Sequence, residues 1–154
     1  MKKKIIITLS KQFPMTLSRR GEPTEFNTKL ENGEKIHTIR RNYDLWKVNA
    51  EKMERGNFYL SVRQWSGRPY NSKQAEIAQI DRPIGVQPIQ ICYHHDGGLM
   101  TAKILDTGRL VDVSELAAHD GLSLDDFKEW FFGSDPKEDK TFRGVVIHFT
   151  DFRY

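Results

Sequence analysis

The tripeptide Asp96-Gly97-Gly98 constrains this chain more than any other stretch, because it separates two apolar runs of strand length, Gln87–Tyr93 and Leu99–Leu105. Turn residues that tolerate positive φ, flanked by β-branched and apolar side chains, predict an antiparallel hairpin. Strand-length segments recur along the chain. Phe58 to Trp65 sets Phe58, Leu60 and Val62 against Tyr59, Ser61 and Arg63 with a period of two. Lys4 to Leu9 is rich in β-branched residues, and Lys73 to Ile80 is placed to pair back across the turn Ser66-Gly67-Arg68-Pro69-Tyr70. Leu110 to Val113 and Arg143 to Phe152 read as further strands.

Helical signals are fewer and shorter. Thr24 is placed to cap a helix from Glu25 to Glu31 that turns Phe26 and Leu30 to the core, with Gly33 at the stop position. Asn42 to Met53 is helical by spacing, with Leu45 and Val48 on its apolar side and Trp46 and Met53 as further candidates for it, and Ser114 to His119 is a short helix. Ser123 caps a fourth helix, Leu124 to Phe132, with Asp125 and Asp126 in its first turn and Phe127, Trp130 and Phe131 as its buried stripe. The sum is one α+β domain over residues 1–154: a mostly antiparallel β-barrel, or a strongly bent sheet, with a few short helices at its ends.

Composition narrows the function classes. Aromatic residues at 11% exclude a disordered chain, and a net charge of +3 permits an anionic partner without forming an electrostatic signature. The lone Cys92 excludes an intramolecular disulfide, fits a reducing compartment, and lies in an apolar run that predicts burial. The apolar run after Met1-Lys2-Lys3-Lys4 ends at Leu9, too short for a signal sequence, and no segment approaches the ~18 apolar residues of a membrane span. A cytoplasmic protein with no membrane partner is expected.

One segment concentrates reactive groups. Gly33-Glu34-Lys35-Ile36-His37-Thr38-Ile39-Arg40 follows a glycine turn and carries an ammonium, an imidazole, a hydroxyl and a guanidinium on a short strand. A buried lysine has a lowered pKa and serves as a base, and a hydroxyl beside it then becomes a nucleophile. Positions three apart point to opposite faces of a regular strand, so Lys35 and Thr38 meet only at a strand start or a bulge. His37 is a further candidate to assist at the site, although alternation turns it to the sheet or solvent.

The pattern Gly33-x-Lys35-x-x-Thr38-x-Arg40, preceded by a short helix with Phe26 and Leu30, resembles the signature of the ASCH domain, a small β-barrel related to the PUA RNA-binding fold. Arg55-Gly56-Asn57 before a strand, Leu116 to Leu124 (Leu-Ala-Ala-His-Asp-Gly-Leu-Ser-Leu) before an amphipathic helix, and a closing strand from Gly144 to Phe152 follow in the family's order. The resemblance spans roughly residues 24 to 152. It implies a PUA-like barrel and, from the small bacterial N(4)-acetylcytidine amidohydrolases of that family, a lysine, a threonine and a glutamate that hydrolyse an amide on a modified pyrimidine nucleoside. Carried over, these fall on Lys35 as base, Thr38 as nucleophile and Asp120 as acid, with Arg40 on a phosphate or base edge. Asp120 departs from the pattern, being one methylene shorter than glutamate. No metal and no organic cofactor is implied.

Residues 1–23 and 64–98 lie outside the family pattern. In the second stretch Trp65, Arg68, Tyr70 and Lys73 mix aromatic and basic groups as single-strand nucleic-acid binders do, although a plain surface hairpin has the same composition. Two functions therefore stand: a hydrolase of an acylated cytidine, or a non-catalytic RNA- or nucleotide-binding module. In the latter Lys35, Arg40 and Arg63 meet phosphate, and Trp65 or Tyr70 stacks on a base. His94-His95-Asp96 reads as hairpin rather than metal site, and His119 either orients substrate or caps a helix. The oligomeric state is not encoded in these signals.

Overall fold

A computed structural model of the chain describes residues 1–154. Eight strands and four helices follow in the order β1 (Lys3–Thr8), α1 (Phe26–Glu31), β2 (His37–Arg40), α2 (Tyr43–Glu54), β3 (Phe58–Trp65), β4 (Gln74–Ile80), β5 (Gly85–His94), β6 (Leu99–Ile104), β7 (Leu110–Val111), α3 (Val113–His119), α4 (Leu124–Phe132) and β8 (Lys140–His148). The fold is α+β and mostly strand. No helix is long and apolar enough to cross a membrane.

The strands form two sheets, ordered β1-β3-β4 and β2-β8-β5-β6-β7. All pairings are antiparallel except β1 with β3, which run parallel with Ile5 opposite Leu60 and Ile7 opposite Val62. The expected barrel is therefore not closed by hydrogen bonds: no ladder joins either edge of the first sheet to the second. The reason lies in β2, which leaves the chain between β1 and β3 yet pairs with β8 in the other sheet, Thr38 opposite Ile147. The two sheets share one apolar core that includes Leu60, Val62, Ile89, Ile91, Ile104 and Ile147, each fully buried. Residues Gly144–His148 of β8 are buried on both faces, as an interior strand of a covered sheet is.

Several local expectations are corrected. The N-cap of α1 is Glu25 at φ 61, not Thr24. Thr24 is instead buried, donating its hydroxyl to the Ser10 carbonyl at 2.8 Å, which ties the start of α1 to the chain after β1. In α2 the buried face is Trp46, Asn49, Ala50 and Met53, while Leu45 and Val48 are exposed. The i, i+3, i+4, i+7 spacing from Trp46 lets the larger ring and Met53 share one stripe against β5 and β8, and burial follows the larger apolar area. Strand β8 ends at His148 rather than Phe152, because Thr150 and Arg153 bond locally: the Thr150 hydroxyl accepts from Phe152 N at 3.3 Å, and Arg153 Nη1 donates to the Thr150 carbonyl at 2.6 Å. Cys92 is half-buried, on the outward parity between Ile91 and Tyr93, with Gln90 Nε2 3.5 Å from its sulfur.

Candidate functional site

Main-chain clamps build the site before any side chain is considered. After α1, both Glu34 N and Lys35 N donate to the Lys29 carbonyl, at 2.8 and 3.0 Å. Ile36 N then donates to the His119 carbonyl and Ile36 O accepts from Phe149 N, both at 2.9 Å. The start of β2 is thus held between the last turn of α3 and the end of β8. Gly121 follows α3 at φ 82, and a Cβ there would meet Lys35 Cβ at 3.3 Å and the Phe26 ring at 3.4 Å. The left-handed backbone favours glycine, and an added methyl would press on Lys35 and Phe26.

These clamps bury Lys35 against Asp120. The Lys35 side chain is 1% exposed and that of Asp120 8%. Lys35 Nζ donates to the Asp120 carbonyl at 2.7 Å and to its carboxylate Oδ1 at 3.2 Å, and lies 4.3 Å from the centre of the Phe26 ring. A cation at a helix C-terminus faces the negative end of the backbone dipoles, and Lys29 Nζ adds a second, 2.8 Å from the Gly121 carbonyl. Burial pushes the Lys35 ammonium below its ordinary value, against the pull of Asp120. Burial also works against the Asp120 charge, but Lys35 and His37 outweigh it and hold the carboxylate below its usual range. A buried carboxylate so partnered stays ionised.

Lys35, Thr38, Arg40 and Asp120 line one cavity, walled by Leu9, Ser10, Phe26 and Trp130. The four residues named by the family resemblance are thus brought together, although 80 positions separate Arg40 from Asp120. Lys35 spends its hydrogen bonds on Asp120 rather than on Thr38. Arg40 Nη2 donates to the Thr8 carbonyl at 2.6 Å, so its guanidinium ties β2 to the end of β1. The cavity measures about 20 Å³, room for roughly one water.

Trp65 and Tyr70 lie elsewhere. They line a second, open cleft of about 780 Å³ between Thr8–Met15 and Trp65–Tyr70, which shares Leu9 and Ser10 with the inner cavity. Of its lining residues, Phe13 is buried and packs edge-on to Trp130 at 5.7 Å. Trp65 and Tyr70 rings stand 5.2 Å apart, with Tyr70 87% exposed and held at φ 63. Arg63 lines neither space; its Nε donates to Ser61 at 2.9 Å, beside Glu76 across the ladder. His94 and His95 sit at the hairpin turn, where His95 N donates to Asp139 at 2.7 Å.

Sequence reasoning missed the polar cluster behind Asp120. His37 is fully buried, its Nδ1 3.3 Å from Asp120 Oδ1 and its Nε2 2.7 Å from the Tyr154 hydroxyl. The same hydroxyl lies 3.1 Å from His119 Nδ1. His148, opposite His37 in the ladder, donates from Nε2 to Gln87 at 2.8 Å, and its Nδ1 is buried without a partner. Gln87 in turn fixes Tyr154, accepting from its N and donating to its carbonyl. Burial pushes the His148 imidazole down to about 3, lowers His37, and raises the Tyr154 phenol. The only signal in the sequence was the alternation that put His37 opposite Thr38 in facing. Comparison of the chain with family models, with curated proteins and with solved structures finds no match to any of them.

Proposed function

We propose that this chain is a PUA-like domain of ASCH type that takes RNA or a modified nucleoside, and that the inner cavity hydrolyses the amide of an acylated cytosine. One observation carries the reading: Lys35, Thr38, Arg40 and Asp120, chosen from the sequence pattern alone, line a single cavity. In the reaction the Thr38 hydroxyl attacks the acyl carbon and loses its proton to Lys35 in its neutral form. Asp120 receives and returns protons as the amine leaves, and water then releases the acid from Thr38. The lowered Lys35 pKa supports its role as base, since desolvation makes the neutral amine accessible. The outer cleft holds the rest of the ligand, with a base against Trp65 and Tyr70. The left-handed backbone of Tyr70 supports this, because strain of that kind collects where a side chain must be presented.

The test is release of cytidine from N(4)-acetylcytidine and related amides. Wild type is expected to turn over, with Thr38→Ala and Lys35→Ala slower by about 100-fold or more. Equal, background release from all three discards the hydrolase reading. A second reading, a binding module without catalysis, is favoured by size. Ligand pockets usually measure about 300–1,000 Å³, a range that the outer cleft meets and the inner cavity does not. On that reading short single-stranded RNA binds with an affinity that falls as salt rises, and Trp65→Ala weakens it. Absent or salt-independent binding removes it.

A further inference from the structure

The cluster behind Asp120 has a direction, and the direction follows from counting donors. Asp120 is a carboxylate bonded to the Lys35 ammonium, so it only accepts. His37 Nδ1, 3.3 Å away, must therefore carry its hydrogen and donate. In neutral His37 the other nitrogen, Nε2, is then bare and accepts at 2.7 Å from the Tyr154 hydroxyl. Having given its one proton to His37, the Tyr154 oxygen accepts at 3.1 Å from His119 Nδ1, which must be the protonated nitrogen of that ring. His119, at the end of α3, and Tyr154 are both half-buried, while His37 and Asp120 are buried. Four groups from three segments of the chain are thus bonded head to tail, from His119 to the carboxylate that the buried ammonium also holds.

We propose that His119, Tyr154 and His37 form a proton relay that connects the buried Lys35–Asp120 pair to solvent. A proton taken up at His119 Nε2 releases the one on Nδ1 to the Tyr154 oxygen. Tyr154 passes its own proton to His37 Nε2, and His37 Nδ1 passes its proton to Asp120 Oδ1. One proton enters and one arrives; Tyr154 remains a phenol and each imidazole has exchanged tautomers. The reverse sequence carries a proton out and restores the starting bonds. Amide hydrolysis needs both directions, one for the leaving amine and one for the proton set free when water attacks. The catalytic use of the relay rests on the proposed function; the relay does not. Tyr154, His37 and His119 act through Asp120, and are positioning residues rather than groups that touch substrate.

His37 is faced by Lys35, Asp120, His119, His148 and Tyr154. His148 stands outside the chain of bonds, since its donor is spent on Gln87.

The relay is separable from a mere brace by the sign of one effect. In the full chain, uniformly labelled with nitrogen-15, the Tyr154 hydroxyl proton is detected through its bond to His37 Nε2, and its exchange with water is timed at neutral pH. His119→Asn places an amide N–H where Nδ1 stood, keeping a donor to Tyr154 but leaving nothing that passes a proton on. The relay predicts exchange at least about tenfold slower in His119→Asn, and likewise slower exchange of the His37 Nδ1 proton in Tyr154→Phe. A brace predicts unchanged or faster exchange in both, and that result overturns the proposal, as does a wild-type His37 protonated on Nε2. Should Tyr154→Phe not fold, His119→Asn decides alone. Because no substrate enters, a failed relay and a failed hydrolysis assay are distinct outcomes.

Discussion

The inner cavity and the outer cleft share a wall and little else. The inner one gathers Lys35, Thr38, Arg40 and Asp120 against Leu9 and Ser10, measures about 20 Å³, and holds a buried ion pair. The outer one is built from Thr8–Met15 and Trp65–Tyr70, which belong to the two stretches outside that pattern, and it is open, aromatic and about forty times larger in volume, 780 against 20 Å³. The contrast separates two duties. A site that sets proton positions must exclude water and pays in desolvation, whereas a site that receives a base or a strand needs area and access.

The largest expected effect breaks this comparison if it fails. Asp120→Ala leaves Lys35 buried without its partner and is expected to cost about 3–5 kcal/mol of unfolding free energy in a urea titration. Lys35→Met strands Asp120 in the same way. Tyr70→Ala, in the outer cleft, is expected to stay within about 0.5 kcal/mol of wild type. Comparable losses at the two sites would refute the division.

Acid is the next lever. His148 binds a proton in the unfolded chain near its ordinary value of 6.5 but in the native state only near 3. Between those values the unfolded chain holds the extra proton, so stability falls as pH falls from about 6.5 toward 3. His37, lowered by burial, adds to the same slope. Unfolding measured across that window is expected to show a steep acid limb in wild type and in Trp65→Ala, and a shallower one in His148→Gln. An identical limb in His148→Gln would assign the acid sensitivity elsewhere.

Gly121→Ala comes third. The left-handed backbone at φ 82 costs an alanine about 1–2 kcal/mol, and the new methyl presses on Lys35. A loss of that size in unfolding free energy, with no change at the outer cleft, sharpens the contrast; no loss would mean that α3 and Lys35 are not in close register. The smallest effect has the opposite sign. Tyr70→Gly relieves φ 63 at the expense of chain entropy, for a net gain of about 0.5 kcal/mol in stability. In the same variant, affinity for single-stranded RNA should drop by about 1–3 kcal/mol if Tyr70 stacks on a base. Gain without loss would leave Tyr70 a surface ring.

Much of this architecture was legible in the sequence because local chemistry decides it. The alternation of Phe58–Trp65 names β3 to the residue, Ser123 caps α4 with its hydroxyl oxygen accepting from Asp126 N as expected, and Gly97 and Gly98 take the positive φ that their hairpin needs. What stayed hidden depends on partners far along the chain. A period of two says that His37 and Thr38 face apart, but not that the face of His37 would be closed by Tyr154 and His148. Helical spacing allowed α2 two apolar stripes, and only the neighbouring β5 and β8 choose Trp46 over Leu45. The split into two sheets is the same kind of fact, since nothing near residue 37 announces that β2 will cross to β8.

The parallel pairing of β1 with β3 imposes an order in time. The segment 9–57 lies between the two strands, and it carries α1, β2 and α2. At synthesis rates of ~5–20 residues per second, Ile5 and Ile7 wait a few seconds for Leu60 and Val62 to be made. Lys35 waits longer still, for Asp120 and then for His148 beside β2. Without Asp120 and β8 its ammonium has neither its partner nor the strand that flanks β2, so the buried pair requires the chain through β8.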